Sequence, residues 1–393
     1  MIGTVALFMT RIRIIQEKTD LFVKEHKNLM MKHTLITILS ISFTLPAVLF
    51  ADDDIRWIGF PDSSFEVNGL PWFDENSPDL FRLPKRLKGI VREPVWNLAQ
   101  STSGALIRFK SDCSALAIRY ENLRMSGMRN MHVFGQSGVD LYTDNTYIAT
   151  AIHGKDKDVE HIYFRNASSE YREHVLYLPL YNGLRIKAIG VNSNATIETP
   201  SPFAVPKPVV FYGTSITQGG CASRAGMSYQ AILCRNLNLQ HVNLGFSGNG
   251  KGEEEVADAV AEIDASCFVL DFMANNKNWE TLEKAYEPFV RTMRGKHPEI
   301  PIVLLTRIYA ARESSILGGH DFIEAKRDVV RRTYKKLIAE GDKNLSLIEG
   351  YSLLGPNEVD GLVDGSHPND LGFQLMADRL APVIARTLKL SER

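Results

Sequence analysis

Two different periods of apolar residues divide the chain. Between Trp57 and Asn194 the apolar positions alternate with polar ones, or cluster β-branched and aromatic side chains, in ALIRFKSDCSALAIRYEN, GVDLYTDNTYIATAIH, REHVLYLPLYNG and LRIKAIGVNS. Gly, Asn and Asp punctuate these runs, and no long helical period interrupts them, so they read as short strands of an antiparallel sandwich. The segment ETPSPFAVPKP, four prolines in eleven residues, then reads as a stiff linker. Beyond it the pattern changes. PVVFYG, HVNLG, SCFVLDFM, IPIVLLTRI and LSLIEG are continuous apolar runs suited to strands buried on both faces. Between and after them, EEEVADAVAEI, WETLEKAYEPFVRTMRGK, FIEAKRDVVRRTYKKLIAE and PNDLGFQLMADRLAPVIARTL carry apolar residues three and four apart, the period of a helix packed on one side. Strands alternating with helices predict a doubly wound α/β domain with a parallel, flavodoxin-like sheet.

The N-terminal MMKHTLITILSISFTLPAVLFADDD places a lysine, an apolar run and a small residue before an acidic start. That layout predicts an export signal over residues 30–51, with residues 1–29 an over-extended gene start. The run contains Pro46 and is short for a bilayer span, which argues against a stable membrane anchor. The remaining boundaries follow from the change of period: a jelly-roll-like β-sandwich over 52–200 and an α/β domain over 201–393.

Composition narrows the classes of function. A net charge of −1, with both signs interspersed along 393 residues, carries no electrostatic footprint for nucleic acid. The four cysteines lack any C-x-x-C spacing, which disfavours a zinc or redox site; Cys221 and Cys234 are candidates for a disulfide in an oxidising compartment.

In a doubly wound sheet, ligands bind beyond the carboxyl ends of the strands, and four such ends are chemically unusual. The first run leads into Gly213-Thr214-Ser215. The second is followed by NLGFSGNG, with Asn243, Gly245, Gly248 and Gly250; the third leads into MANN, with Asn275 and Asn276; and DGSHPND, with Asp364 and His367, follows the last. A serine hydroxyl becomes a nucleophile when a base takes its proton, and an imidazole base is held in the right tautomer by a carboxylate. An oxyanion calls for N–H donors that are already oriented, which a glycine amide and an asparagine side chain supply. Each residue also has a plain alternative. Ser215 suits a turn or helix cap, Gly248 a backbone requirement, Asn275 an Asx turn, and Asp364 or Ser366 a helix cap. Their joint order at strand ends is what favours an enzyme. GFSGNGKG lacks the spacing of a dinucleotide loop, and no G-K-[ST] phosphate loop is present. A carbohydrate-binding protein without catalysis accounts for the β part but not for Ser215, Asp364 and His367 together.

This arrangement resembles the SGNH (GDSL-type) hydrolases, named for Ser, Gly, Asn and His in separate blocks. GTSITQG resembles the first block, NLGFSG the second, MANN the third and DGSH the last. Thr214 stands where the family name expects Asp, and Met273 where a glycine commonly precedes the Asn. GVDLY, with LYLPLYNG, resembles the β-domain that precedes the hydrolase domain in a secreted bacterial branch. The resemblance implies a serine esterase without metal or organic cofactor, with Ser215, Asp364 and His367 as triad. It implies an oxyanion hole from Ser215, Gly248 and Asn275, and an acetylated glycan as substrate; a lipase or thioesterase is the alternative within the superfamily. Arg307, Tyr309, Asp140 and Tyr142 are the candidate substrate-binding residues. Export would place the protein in the periplasm or outside the cell.

Overall fold

The continuous apolar runs of the C-terminal half lie side by side as five parallel strands, the first four in sequence hidden from solvent along their whole length and the last, at one edge, half-buried. The computed structural model describes residues 54–124, 127–154 and 156–390. The expected export signal and gene start, with the expected cleavage point, lie outside the described residues. The sheet runs in the order His241–Gly245, Val209–Gly213, Cys267–Asp271, Ile302–Leu305, Leu345–Ile348. The first strand in sequence is therefore second in space, the flavodoxin-like order. Side chains alternate between the two faces. Val210, Tyr212, Val242, Leu244, Phe268, Leu270, Ile302 and Leu304 share one core with the helices Glu254–Ala261, Trp279–Lys296 and His320–Ala339. Val209, Phe211, Cys267, Val269, Val303 and Leu305 share the other with the helices Tyr229–Leu237 and Asp370–Thr387. Among the described residues no helix is long and apolar enough to cross a membrane.

The N-terminal part is antiparallel. One sheet orders Ile55–Gly59, Leu184–Asn192, Leu116–Asn122 and Asp158–Phe164. The second is built on Leu106–Ser111, Arg172–Tyr177, Val139–Thr143 and Thr146–Ala151, with Ile197–Glu198 and Glu66–Asn68 both pairing with Leu106–Ser111. Ile118 and Ile189 from one sheet meet Phe109, Leu141 and Leu176 from the other in a shared core, so the two form a sandwich. The hairpin within GVDLYTDNTYIATAIH closes on Asp144 and Asn145 with φ of 48° and 63°. Two consecutive positive φ angles make the tight turn whose twist matches paired strands.

One segment crosses between the parts. Trp72, Leu83, Val91, Val95, Trp96 and Ala99 precede most of the sandwich in sequence, yet they pack with Val242, Leu244 and Val256 of the α/β part. Arg82 lies among them with no solvent exposure. Its guanidinium donates to the carbonyls of Asn243 at 3.1 Å, Gly245 at 2.6 Å, Ser101 at 3.0 Å and Leu98 at 2.7 Å. It thereby satisfies the carboxyl end of the second parallel strand. Burial without a carboxylate partner pulls Arg82 down to about 9. The proline-rich connection is fixed as well: the Arg108 guanidinium donates to Ser201 O at 2.6 Å and lies 3.8 Å from the Phe203 ring centre. The two parts therefore pack as one unit.

Candidate active site

The first parallel strand ends at Gly213, and after Thr214 the chain enters a single helical turn, Ser215–Gln218, which stops at Gly219 with φ of 99°. Ser215 is the first residue of that turn, so its backbone N–H has no partner within the helix and faces outward. Its Oγ lies 2.8 Å from His367 Nε2. His367 sits on a tight turn that closes when Val363 N–H donates to His367 O at 2.8 Å, with Gly365 at φ 76°. Its Nδ1 lies 2.9 Å from Asp364 Oδ2. The other carboxylate oxygen accepts backbone N–H groups of Ser366 at 3.0 Å and His367 at 2.9 Å. A further donor comes from the β part: Asn130 Nδ2 reaches Asp364 Oδ2 at 2.8 Å across 234 residues of sequence. Burial alone would raise the Asp364 carboxyl. The His367 N–H, the Asn130 amide and the His367 ring outweigh it and hold it at about 2.

The neighbouring strand ends close round Ser215. The loop after the second strand carries Gly248 at φ 68°, a conformation that favours glycine. At Gly250 a Cβ would lie 1.9 Å from Gly213 O, so that loop approaches the serine strand only because a side chain is missing. Asn275 gives one amide hydrogen to Phe246 O at 3.2 Å, which seats it against the same loop. Asn276 is buried and donates to both Lys251 O at 3.3 Å and Phe272 O at 3.5 Å, so its amide is committed to the backbone. Beneath the serine turn, Asp271 is buried against Thr217 Oγ1 at 3.3 Å. Burial pushes its carboxyl up to about 7, against the opposing charge of Arg307.

Of the four expected substrate-binding residues, one lies near this group. Arg307 donates to Ser366 Oγ at 2.6 Å, next to His367. The Tyr309 N–H donates to Leu354 O at 2.9 Å and its ring lies 6.2 Å from that of Tyr351. Asp140 and Tyr142 do share one face of their strand, but both are buried between the two parts and not exposed at a rim. Asp140 accepts from Thr150 Oγ1 at 2.6 Å, Gly226 N–H at 2.8 Å and Arg224 at 3.2 Å, and the Tyr142 hydroxyl also meets Arg224. They grip the chain just beyond the serine turn and touch no open space. The four cysteines are free and buried, so Cys221 and Cys234 are not bridged. Donor atoms of Cys221, Asp364 and His367 lie within 4.8 Å of one another, but burial pushes the Cys221 thiol up to about 12, so it is protonated.

Nothing in the sequence pattern signals Asn130, nor a cleft of about 540 Å³ in the β part lined by Asn97, Gln100, Ser101, Arg124, Tyr181 and Arg185 among others. Two contacts tie its floor to the serine turn. Gln218 Nε2 donates to Ser101 Oγ at 3.3 Å, and a Cβ on Gly220 would lie 2.6 Å from the Tyr181 hydroxyl. That hydroxyl is buried and faces Ser247 without a hydrogen bond of good geometry.

Comparison with known proteins agrees with the two-part fold. The family model of GDSL-like lipases and acylhydrolases matches residues 206–385, and a second, described as the N-terminus of SGNH-hydrolase-type esterases, matches residues 55–197. A solved structure from Bacteroides ovatus ATCC 8483, described as a GDSL-like lipase, is 30% identical with a TM-score of 0.77, and the match covers 86% of this chain and 98% of that one. A salicylyl-acyltransferase from a tetracycline biosynthetic pathway is 21% identical at TM-score 0.74, covering 86% and 99%. An acetyl xylan esterase from the rumen bacterium Butyrivibrio proteoclasticus is 13% identical at TM-score 0.59, covering 86% and 100%. The last two are alike in fold. No curated protein sequence matches the chain.

Proposed function

The chain belongs to the GDSL-like lipase/acylhydrolase family and is an ester hydrolase, and we propose that it works by serine acyl transfer with Ser215 as nucleophile. The observation that carries this reading is the continuous relay of 2.8 Å from Ser215 Oγ to His367 Nε2 and 2.9 Å from His367 Nδ1 to Asp364 Oδ2. His367 takes the Ser215 proton as Oγ attacks the ester carbonyl, and Asp364 fixes the imidazole and stabilises its charged form. The oxyanion forms opposite the N–H groups of Ser215 and Gly248 and the second amide hydrogen of Asn275. His367 then returns its proton to the leaving alcohol. Water, activated by the same imidazole, releases the acyl group.

For the substrate, the favoured reading is an O-acetylated glycan. Amide and guanidinium donors from Asn97, Gln100, Arg124 and Arg185 line the cleft of the sandwich part, together with Tyr181, and its Ser101 is hydrogen-bonded to Gln218 of the serine turn. That suits a polyhydroxylated alcohol better than a lipid chain. The resemblance in fold to an acetyl xylan esterase points the same way. Export, read from the apolar run over 30–51, would bring the enzyme to such polymers. The test is a panel of acetylated sugars set against simple esters of increasing acyl length. The expected result is turnover highest for acetyl and falling with each added methylene pair. Preference for long acyl chains would replace this reading with a lipase, and absence of turnover on any ester would favour a binding protein.

A further inference from the structure

We propose that Asn130 is a positioning residue for Asp364, so that the relay is completed by a side chain from the sandwich part. The inference rests on the Ser215–His367–Asp364 reading above and concerns what holds its last member in place.

The Asp364 side chain is 32% exposed, so packing alone does not fix its rotation. Donors do that work. Oδ1 is held by two backbone N–H groups of its own turn, but Oδ2, the oxygen nearer to His367 Nδ1, has one other partner, Asn130. Two donors converging on Oδ2 keep it in the plane that the imidazole needs. Asn130 is itself held from both sides. The Gln136 side chain, 4% exposed, accepts Met128 N–H at 2.7 Å and donates to Met128 O at 3.0 Å and Met131 O at 2.7 Å. Met131 is buried in the core that also contains Ile216 and Ala222 of the serine segment. Asn130 therefore stands between two anchored residues at the place where the sandwich meets the hydrolase part. As a neutral donor it also favours the ionised carboxylate, in line with the low Asp364 value.

The test compares Asn130→Ala and Asn130→Asp with wild type, and repeats Asn130→Ala in an Asp364→Ala background. Loss of a supporting hydrogen bond should lower kcat about tenfold with KM within about twofold, the usual cost of a misplaced supporting group. Asn130→Asp, isosteric but facing a carboxylate with a carboxylate, should cost about a hundredfold, a contrast that a packing role would not produce. In the Asp364→Ala background, Asn130→Ala should cost nothing further, because the two act as one unit. Unchanged kcat in Asn130→Ala, or an equal loss in both backgrounds, overturns the assignment while the relay reading stands. Wild-type kcat in Asp364→Ala alone would sink the relay reading itself. Thermal unfolding midpoints separate a folding defect from either result.

Discussion

Among the contacts between the two parts of the molecule, two joints mirror each other. At the seam, Asp140 of the sandwich receives Arg224 and the Gly226 N–H of the hydrolase part; at the rim, Asp364 of the hydrolase part receives Asn130 of the sandwich. Each joint is a carboxylate with donors from across the boundary, but their surroundings differ. Asp140 is fully buried, and Arg224 also lies 3.8 Å from the Tyr147 ring centre. Burial pushes the Asp140 carboxyl upward, with hydrogen bonds and the arginine charge opposing it. Asp364 lies partly open to water, and its donors win. A buried charge stripped of its partner is costly, whereas a half-exposed one is rehydrated. The seam is thus built for cohesion and the rim for alignment.

The sharpest break between the joints is Ser215→Ala. Removing the proposed nucleophile beside the rim should reduce turnover about a million-fold, and the unfolding transition should not move; a variant that kept a tenth of wild-type turnover would end the serine mechanism. Next in size, Asp140→Ala should destabilise the protein by about 3 kcal/mol, since it leaves Arg224 without its carboxylate. Chemical denaturation measures this, with kcat per folded molecule expected to stay within about threefold. Asn275→Ala should lower kcat a hundred- to a thousand-fold with little change in KM, as for other oxyanion donors. The matching Asn276→Ala should act mainly on stability, because its amide holds backbone carbonyls; the reverse pattern would reassign the donor. A further effect, one of pH, belongs to Asp271. Its folded-state value of about 7 stands above the ordinary carboxyl value of about 3.9. Protonation therefore favours the fold, and stability is lost as pH rises from about 4 through 7. Asp271→Asn should gain on wild type in unfolding midpoint between those values and gain nothing at pH 4; parallel curves would show that Asp271 does not titrate in that window.

The parts of the fold legible in the sequence are those written in a period. The five apolar runs became the five parallel strands, the helical runs became helices, and the strand-end rule placed Ser215 and His367 within hydrogen-bond reach. Asn275 and Asn276 look alike as letters and separate only through what their amides touch. The joints were not legible. GVDLY was visible as a strand, but whether Asp140 and Tyr142 faced substrate or another part of the chain depends on tertiary packing, which no period encodes. Asn130 meets Asp364 across 234 residues, and Arg82 meets Asn243 and Gly245 across 161 and 163, at positions whose neighbours in sequence give no hint of these contacts. Trp72 and Trp96 look like part of the sandwich in sequence order and belong to the other core in space.

Arg82 bears on how such a chain can be recombined. The proline-rich stretch over 198–208 looks like a natural crossover point, since one family match ends at 197 and the other begins at 206. A crossover there, however, would join the hydrolase half to an N-terminal half from another lineage. Unless that half also carried an arginine able to reach Asn243 O and Gly245 O, two carbonyls at the end of the sheet's edge strand would lose their donors in a dry interior, at a cost of about 1–3 kcal/mol each. Residues 72–101 therefore belong with the hydrolase half. Chimaeras exchanged at the proline stretch should express poorly, whereas those that exchange strands while retaining residues 72–101 should survive.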